Sequence, residues 1–387
     1  MTSPAPPAPK EGRAGASRWR AAWRASLVPL CAVILGLVVG AIIMVASSGV
    51  AAGGFQPLLP LQAYGALLQG SVLSFNGLVS TAVQAAPLIL AGLAVGIGFK
   101  AGLFNIGASG QFLLGAIAAS AVGYQLAASS GWVAIPAAMG AAAVAGAAWG
   151  FIPGALKAWT GAHEVVTTIM LNFIAATVVK YLITGPFGVS GFSFDRTGDV
   201  GNAALPILFG RDGHLGILIA VAVVPVIWWL LWRSTLGFEI RTVGANPSAA
   251  RYAGMHPGRL TIFTMSLCGL LAGLAGAGQI LGISHFMNAS YSTGIGFDAI
   301  TVALLGKAHP VGIVLAAVLF GIMRAGSPLM QISAGVPVEI VDVLQAVILL
   351  FLTADVIVRR VFRIRAPKGT VDELQTVTRT YGEQTSV

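Results

Sequence analysis

Long apolar runs dominate the chain, and short clusters of glycine, proline or charge separate them. A helix needs about 20 mainly apolar residues to cross roughly 30 Å of hydrocarbon. The pattern therefore predicts an all-α polytopic membrane protein with about ten transmembrane helices. The apolar runs are 27–48, 75–99, 103–128, 132–157, 164–184, 214–232, 260–283, 297–307, 310–326 and 337–357.

The eighth and ninth runs, 297–307 and 310–326, are too short to span alone at about 1.5 Å per residue. We expect half-helices or one interrupted unit there. Composition agrees with a membrane location, since only 9% of residues are charged, against about 25% in soluble domains. The net charge of +9 does not indicate a nucleic-acid polymer as partner, because Lys and Arg lie between the apolar runs and form no single basic face.

Charge placement predicts the topology. With the N-terminus inside, the basic clusters fall on the cytoplasmic side, as the positive-inside rule requires. Residues 1–25 are then a basic, mostly disordered cytoplasmic segment, 26–358 the transmembrane domain with a cytoplasmic loop at 233–260, and 359–387 a cytoplasmic tail. The Lys and Arg residues left for the outer side are Lys180, Arg196, Arg211 and Arg324.

The stretch GLFNIGASGQFLLG at 102–115 interrupts an apolar run with glycines and the polar residues Asn105, Ser109 and Gln111. Irregular backbone at membrane depth is tolerated only where protein or an aqueous cavity satisfies its polar groups. A second interruption, with Asp298, lies at 292–312 in the other half of the chain. Paired interruptions indicate a substrate site between repeats.

Asn105, Ser109, Gln111 and Asp298 are therefore the candidate substrate-pathway residues. A second interpretation stays open for each of them. The first three can instead satisfy the backbone of their own broken helix, and Asp298 can cap its short helix.

The tetrapeptide Gly107–Gly110, G-A-S-G, also resembles the serine motif of rhomboid intramembrane proteases. A nucleophilic serine needs a base within hydrogen-bond reach. His285, the only histidine near a late apolar run, follows the outer end of that run, and the other four histidines fall in turns or loops. This pattern disfavours the protease. The sequence also lacks a P-loop, because Ala308 follows Gly306-Lys307, and it has no Cys/His cluster for a metal.

The loop 233–260 predicts a short helix, because Asn246 can cap it, Pro247 suits its first turn and Gly254 can end it. A short capped helix on the cytoplasmic face is suited to docking a membrane subunit onto a soluble motor.

Four stretches resemble the permease subunits of bacterial ABC importers, in the branch that includes ribose, branched-chain amino acid and nucleoside systems. The resemblance is closest to nucleoside permeases. The stretches are FNIGASGQFLLGA (104–116), HEVVTTIMLNFIA (163–175), RTVGANPSAARYAGM (241–255) and GFDAITVALLGKAHPVGI (296–313).

The resemblance implies a type II importer permease fold with an internal repeat, in a bacterial cell membrane. It also implies an ABC ATPase that uses ATP and Mg, a second and different permease subunit, and a lipid-anchored binding protein, with no cofactor bound by this chain. A coupling helix would enter the ATPase. Its residues would be Gly244, Asn246, Ala249, Ala250 and Gly254.

One departure from the family pattern concerns the substrate. Ser109 stands where the family usually has an acidic residue, and His163 stands where it usually has Asn. Simple sugars or another small polar solute therefore remain an alternative to nucleosides.

Overall fold

The structure, a computed structural model, describes residues 29–47, 56–291 and 294–354. The predicted terminal segments 1–25 and 359–387 lie outside this range. The described helices are α1 (Pro29–Ser47), α2 (Leu59–Ser71), α3 (Phe75–Lys100), α4 (Ala108–Gln125), α5 (Gly131–Thr160), α6 (Glu164–Thr184), α7 (Gly216–Arg233), α8 (Thr235–Ala245), α9 (Pro247–Tyr252), α10 (Pro257–Gln279, continued by a π-turn at Ile280–Ser284), α11 (Ile295–Leu305), α12 (Pro310–Ala334) and α13 (Glu339–Thr353).

Each predicted apolar run contains a helix. In the described part of the chain, seven helices are long and apolar enough to cross a membrane, namely α1, α3, α5, α6, α7, α10 with its π-turn, and α12. The protein is therefore a multi-pass, all-α membrane protein, as predicted.

Three features of the helices differ from the predictions. The sequence pattern did not predict α2, because prolines and glycines break its apolar run. The ninth run was predicted to be too short to span, but α12 has 25 residues and continues to Ala334. As a result Arg324, predicted to lie on the outer side, lies inside this helix. The helix α4 begins at Ala108, five residues after the predicted start of its run.

The described chain divides into two compact units. The first holds α1 and the described residues from Asp342 onward. Within it, Gly36 of α1 packs against the side chain of Ile348. The second runs from Leu58 to Val341 and holds every candidate site residue.

In the second unit, α3 and α10 are the most enclosed spans. About 78% of the apolar window of α3 is buried, against 22% for α5 and α6. The buried positions of α5 recur every four residues as a stripe of small side chains, so that one face packs inward. Large apolar side chains such as Trp132, Val144 and Phe151 cover its other face. Such a face is suited to lipid, which is as apolar as these side chains.

The stripe on α5 packs against α10 with no side chain between the two backbones. A Cβ added at Gly146 would overlap the carbonyl oxygen of Gly269, and one at Gly115 of α4 would overlap Gly273. Glycine is therefore required where α4, α5 and α10 cross. Helices in lipid associate by close packing of this kind.

A short antiparallel hairpin, which the sequence pattern did not predict, precedes α7. Strand β1 (Ile207–Phe209) pairs with β2 (Gly213–His214). The His214 ring is buried against Gly282 of the π-turn, and its Nδ1 accepts a hydrogen bond from the Gly216 N–H (3.2 Å). Burial lowers the pKa of His214, and the neighbouring His285 lowers it further, while Asp212 raises it. The hairpin therefore packs against the end of α10 through His214.

We predict that Gly146→Leu destabilises the protein, because the added side chain forces α5 away from α10. Overpacking of this kind costs about 1–3 kcal/mol or more. The measurement is the melting temperature of the purified protein in detergent. Gly140→Leu on the same helix is the matched control, since nothing lies within 4 Å of a Cβ at Gly140. Equal melting temperatures for the two variants would contradict the close crossing.

Candidate functional site

The first break in the membrane helices lies between α3 and α4. The helix α3 ends at Lys100, Gly102 adopts a left-handed conformation with φ of 69°, and α4 begins at Ala108. Positive φ favours glycine, so Gly102 suits this turn. The break is an extended segment that leaves backbone groups without helical partners.

Two amide side chains hold the break together. The Asn105 Oδ1 accepts a hydrogen bond from the Gly107 N–H (3.0 Å), and its Nδ2 donates to the Gln111 Oε1 (3.0 Å). The Gln111 Nε2 returns a longer hydrogen bond to the Asn105 Oδ1 (3.4 Å). Both residues are 1% exposed. In this conformation their polar atoms satisfy the break itself, which is the second of the two interpretations. A contact with substrate stays a prediction for these residues.

A third amide, Asn172 of α6, closes the break from the other side. Its Oδ1 accepts from the Gly110 N–H (2.8 Å), and its Nδ2 donates to the Ile106 carbonyl (3.0 Å). Asn172 was not among the candidate residues predicted from the sequence. The available signal was an amide in the middle of the apolar run 164–184, where polar residues commonly bond to a neighbouring helix.

The second break lies between α10 and α11. The helix α10 ends in the π-turn, His285 is left-handed with φ of 59°, and Gly294 is left-handed with φ of 67° directly before α11.

The two breaks meet. Gly296, in the first turn of α11, packs against the backbone of Ser109, in the first turn of α4, so closely that a Cβ at Gly296 would overlap Ser109. The amino ends of two helices therefore converge at one place, where their positive dipole ends favour electronegative atoms. The two interruptions that the sequence pattern pairs are therefore in direct contact, and a substrate site between them stays a prediction.

Asp298 lies one turn into α11 and forms an ion pair with Arg324 of α12. The two side chains are each 18% exposed. Neither of the two interpretations of Asp298 named this partner, because Arg324 was predicted to lie on the outer side of the membrane.

Ser109 lacks the geometry of a nucleophile. No hydrogen bond joins it to any of the five histidines, all of which lie in the described residues. In the same residues, no group of three or more His, Cys, Asp or Glu side chains is gathered that could hold a metal. The serine-protease alternative has no geometric support.

The cytoplasmic-loop prediction is confirmed in its local geometry. The helix α9 begins after Asn246, whose side chain accepts from the Ala249 N–H (3.0 Å), and Gly254 with φ of 84° follows its end. Ala249 is exposed but Ala250 is fully buried. The side chain that stands out from α9 is Tyr252, which is 94% exposed.

Gly244 lies outside α9, in the last turn of α8. A Cβ there would overlap the Lys100 carbonyl, and the Gly244 carbonyl lies against Gly102. The junction between α8 and α9 therefore rests directly on the turn that begins the first break. Burial lowers the pKa of His309 near this junction, and the charge of Lys100 lowers it further.

A cavity of about 590 Å³ lies beside α9, between the end of α5 and the start of α10. Trp159, Arg251, His256 and Arg259 are among its lining residues. Two guanidinium groups at its wall are suited to an acidic group on a docking protein, since Arg pairs with carboxylates in a fixed fork geometry.

Comparison with known protein families shows to which family the chain belongs. Residues 77–353 match the family described as "Branched-chain amino acid transport system / permease component". The chain belongs to this permease family. The matched range contains both breaks, the ion pair and the loop with α9, so the whole candidate site lies in the family domain. No solved structure matches the chain.

Three relatives are similar over nearly their whole length. The guanosine ABC transporter permease protein NupP of Bacillus subtilis is 41% identical, over 89% of this chain and 97% of the relative. The glucose ABC transporter permease protein TsgB13 of Haloferax volcanii is 37% identical, over 86% and 88%. The nucleoside ABC transporter permease protein NupB of Lactococcus lactis is 35% identical, over 93% and 98%. This permease is thus a transport component.

We predict that Asn172→Ala destabilises the permease, because it removes both hydrogen bonds that α6 makes to the break. Two such bonds, with their partly buried backbone partners left unpaired, are worth about 2 kcal/mol. Thermal unfolding in detergent measures the loss. Asn202→Ala is the control, since that amide donates one exposed hydrogen bond to the Ser129 carbonyl. A melting temperature that falls no further for Asn172→Ala than for the control would contradict the bridging role.

Proposed function

We propose that this permease forms half of the translocation pathway for nucleosides in an ATP-driven importer and works by alternating access. The observation that carries the proposal is the similarity to NupP and NupB across almost the whole chain, including both breaks. Substrate would bind near the meeting of α4 and α11, where two helix ends converge at membrane depth.

The positive-inside rule supports placing both termini in the cytoplasm of a bacterial cell. This orientation puts the loop with α8 and α9 on the cytoplasmic side and the hairpin β1–β2 on the outer side. Among basic residues, Lys180, Arg196 and Arg211 are then the ones at the outer face, and Arg324 is inside the membrane.

An ABC ATPase partner would dock on α9, because Tyr252 and the neighbouring basic cavity stand at its surface. Movement of α9 would reach the first break through the contact of Gly244 with Gly102. In this scheme ATP and Mg act in the ATPase, and this chain binds no cofactor. A second, different permease would supply the other half of the pathway, and a lipid-anchored binding protein would deliver substrate from outside.

Simple sugars are the second candidate substrate, and a specific observation favours them. The glucose permease TsgB13 is as similar to this chain as the nucleoside permeases are, with 37% identity against 41% and 35%. Ser109, which stands where the resemblance leads us to expect a carboxylate, lies at the contact between the two breaks and is consistent with a changed ligand.

The test of substrate is uptake of labelled adenosine, guanosine and uridine by cells with and without this chain, with unlabelled ribose and glucose as competitors. We expect chain-dependent nucleoside uptake that the sugars do not suppress. Chain-dependent uptake of labelled glucose or ribose, with none of nucleosides, in cells that express the whole complex would replace nucleosides by sugars as the substrate.

We predict that Tyr252→Ala lowers substrate-stimulated ATP hydrolysis and uptake together. The residue packs little within its own chain, so its truncation acts through the docked partner, where loss of an aromatic anchor costs about 2 kcal/mol or more in affinity. Both rates are measured in proteoliposomes. The control is Tyr181→Ala, since Tyr181 is also largely exposed (69%) but belongs to α6, near its carboxyl end. Full hydrolysis and uptake in Tyr252→Ala would place the docking surface elsewhere.

A further inference from the structure

Arg324 occupies an unusual position for a charged residue. It is the fifteenth of the 25 residues of α12, so about 15 Å or more of helix separates it from either end at about 1.5 Å per residue. In the described helices of 18 residues or more, every other charged side chain lies within four residues of a helix end. Arg324 is therefore the deepest charge of these spans.

The partner of Arg324 lies at the meeting of the two breaks. Asp298 follows by two residues Gly296, which contacts Ser109 of α4. The Arg324 guanidinium also approaches Gly294, directly before α11, where a Cβ would lie 3.7 Å from its Nη2. The positive and the negative charge thus stand together at the amino end of α11.

The pair is partly exposed, with 18% of each side chain accessible. Charged side chains are not stable against lipid tails, and intramembrane charges face a water-filled cavity or the interior of the assembly. Partial exposure beside two converging helix ends therefore favours contact with the translocation pathway. Because the pair carries one charge of each sign, this part of the pathway has no net charge.

We propose that Asp298 and Arg324 form a charge-neutral specificity element, which admits uncharged polar solutes and rejects anionic derivatives such as nucleoside monophosphates. The inference rests on the proposed function and adds Arg324 as a specificity-determining residue. The carboxylate accepts hydrogen bonds from hydroxyl groups of the solute, and the guanidinium donates to its oxygen atoms. A neutral solute makes these bonds without breaking the pair.

A phosphate group, unlike a neutral solute, cannot bind without breaking the ion pair. Asp298 repels it and already occupies the guanidinium, so that binding a phosphate requires separation of the pair. Neutralising Asp298 alone leaves Arg324 unpaired and gives the pathway a net positive charge, which attracts a phosphate. Neutralising both residues returns the pathway to zero charge. The proposal therefore predicts an effect of net charge on selectivity, which a purely structural role for the pair does not predict.

The test uses the complete importer, with its ATPase, second permease and binding protein, in proteoliposomes with ATP inside. Uridine 5′-monophosphate sealed inside reaches the pathway from the cytoplasmic side and needs no delivery by the binding protein. Uptake of labelled uridine is measured against the internal concentration of the monophosphate. The variants are Asp298→Asn, Arg324→Gln and the double variant, with Glu339→Gln as the matched carboxylate-to-amide control at the exposed start of α13.

For Asp298→Asn we expect uridine uptake to be half-inhibited at an internal monophosphate concentration about tenfold lower than for the unmodified protein. A factor of this size is what one additional, partly screened positive charge contributes to binding of a phosphate. Arg324→Gln, the double variant and Glu339→Gln should be no more sensitive to the monophosphate than the unmodified protein, even where uptake itself is slower. Equal sensitivity of Asp298→Asn and the double variant would overturn the proposal, and so would unchanged sensitivity of Asp298→Asn.

Failure of the proposed function gives a different result. If the unmodified complex takes up none of uridine, adenosine and guanosine, nucleosides are the wrong substrate, and the same variants are tested with labelled ribose and internal ribose 5-phosphate. Sensitivity of Asp298→Asn alone to ribose 5-phosphate would then support the neutral pair, and equal sensitivity of all variants would refute it.

Discussion

The structure depends on one constraint, which is that backbone polar groups at membrane depth must find partners inside the protein. The chain breaks a helix between α3 and α4 and then satisfies the exposed groups with the amides of Asn105, Gln111 and Asn172. These three side chains supply the hydrogen bonds that water would supply to a loop of a soluble protein. With the break stabilised in this way, the amino end of α4 stands free to meet that of α11, and the polar site exists because both helices begin at the same place.

Close packing provides the frame for this site. The crossing of α4, α5 and α10 has glycine on each helix at the contact, so the backbones touch without intervening side chains. Helices in lipid gain stability from such packing, because burial from water is not available as a driving force between them. The frame also fixes where the breaks lie, since α4 carries the end of the first break and α10 runs into the second. A shift in this crossing would move both breaks.

The same backbone-on-backbone contact appears again between Gly244 and Gly102, where the last turn of α8 rests on the start of the first break. The exposed helix α9 follows directly, with Tyr252 at its surface. A short route of direct contacts therefore leads from the loop that holds α8 and α9 to the first break. The ion pair of Asp298 and Arg324 lies at the start of α11, where it adds polarity without net charge. Such a site is consistent with a neutral polar solute.

The sequence by itself determined the membrane class, the positions of the spans, the two interruptions and the capped helix after Asn246. These features depend on local composition and on short-range backbone chemistry, which apolar run length, glycine and side-chain caps express directly. Only the tertiary structure decided which polar residues meet. Asn172 and Arg324 are far along the chain from Gly110 and Asp298, and no spacing rule links them. The helix α2, the extension of α12 to Ala334 and the burial of Ala250 were likewise decided by packing, because neighbouring helices stabilise turns whose own sequence contains breakers and cover side chains that the loop alone would expose.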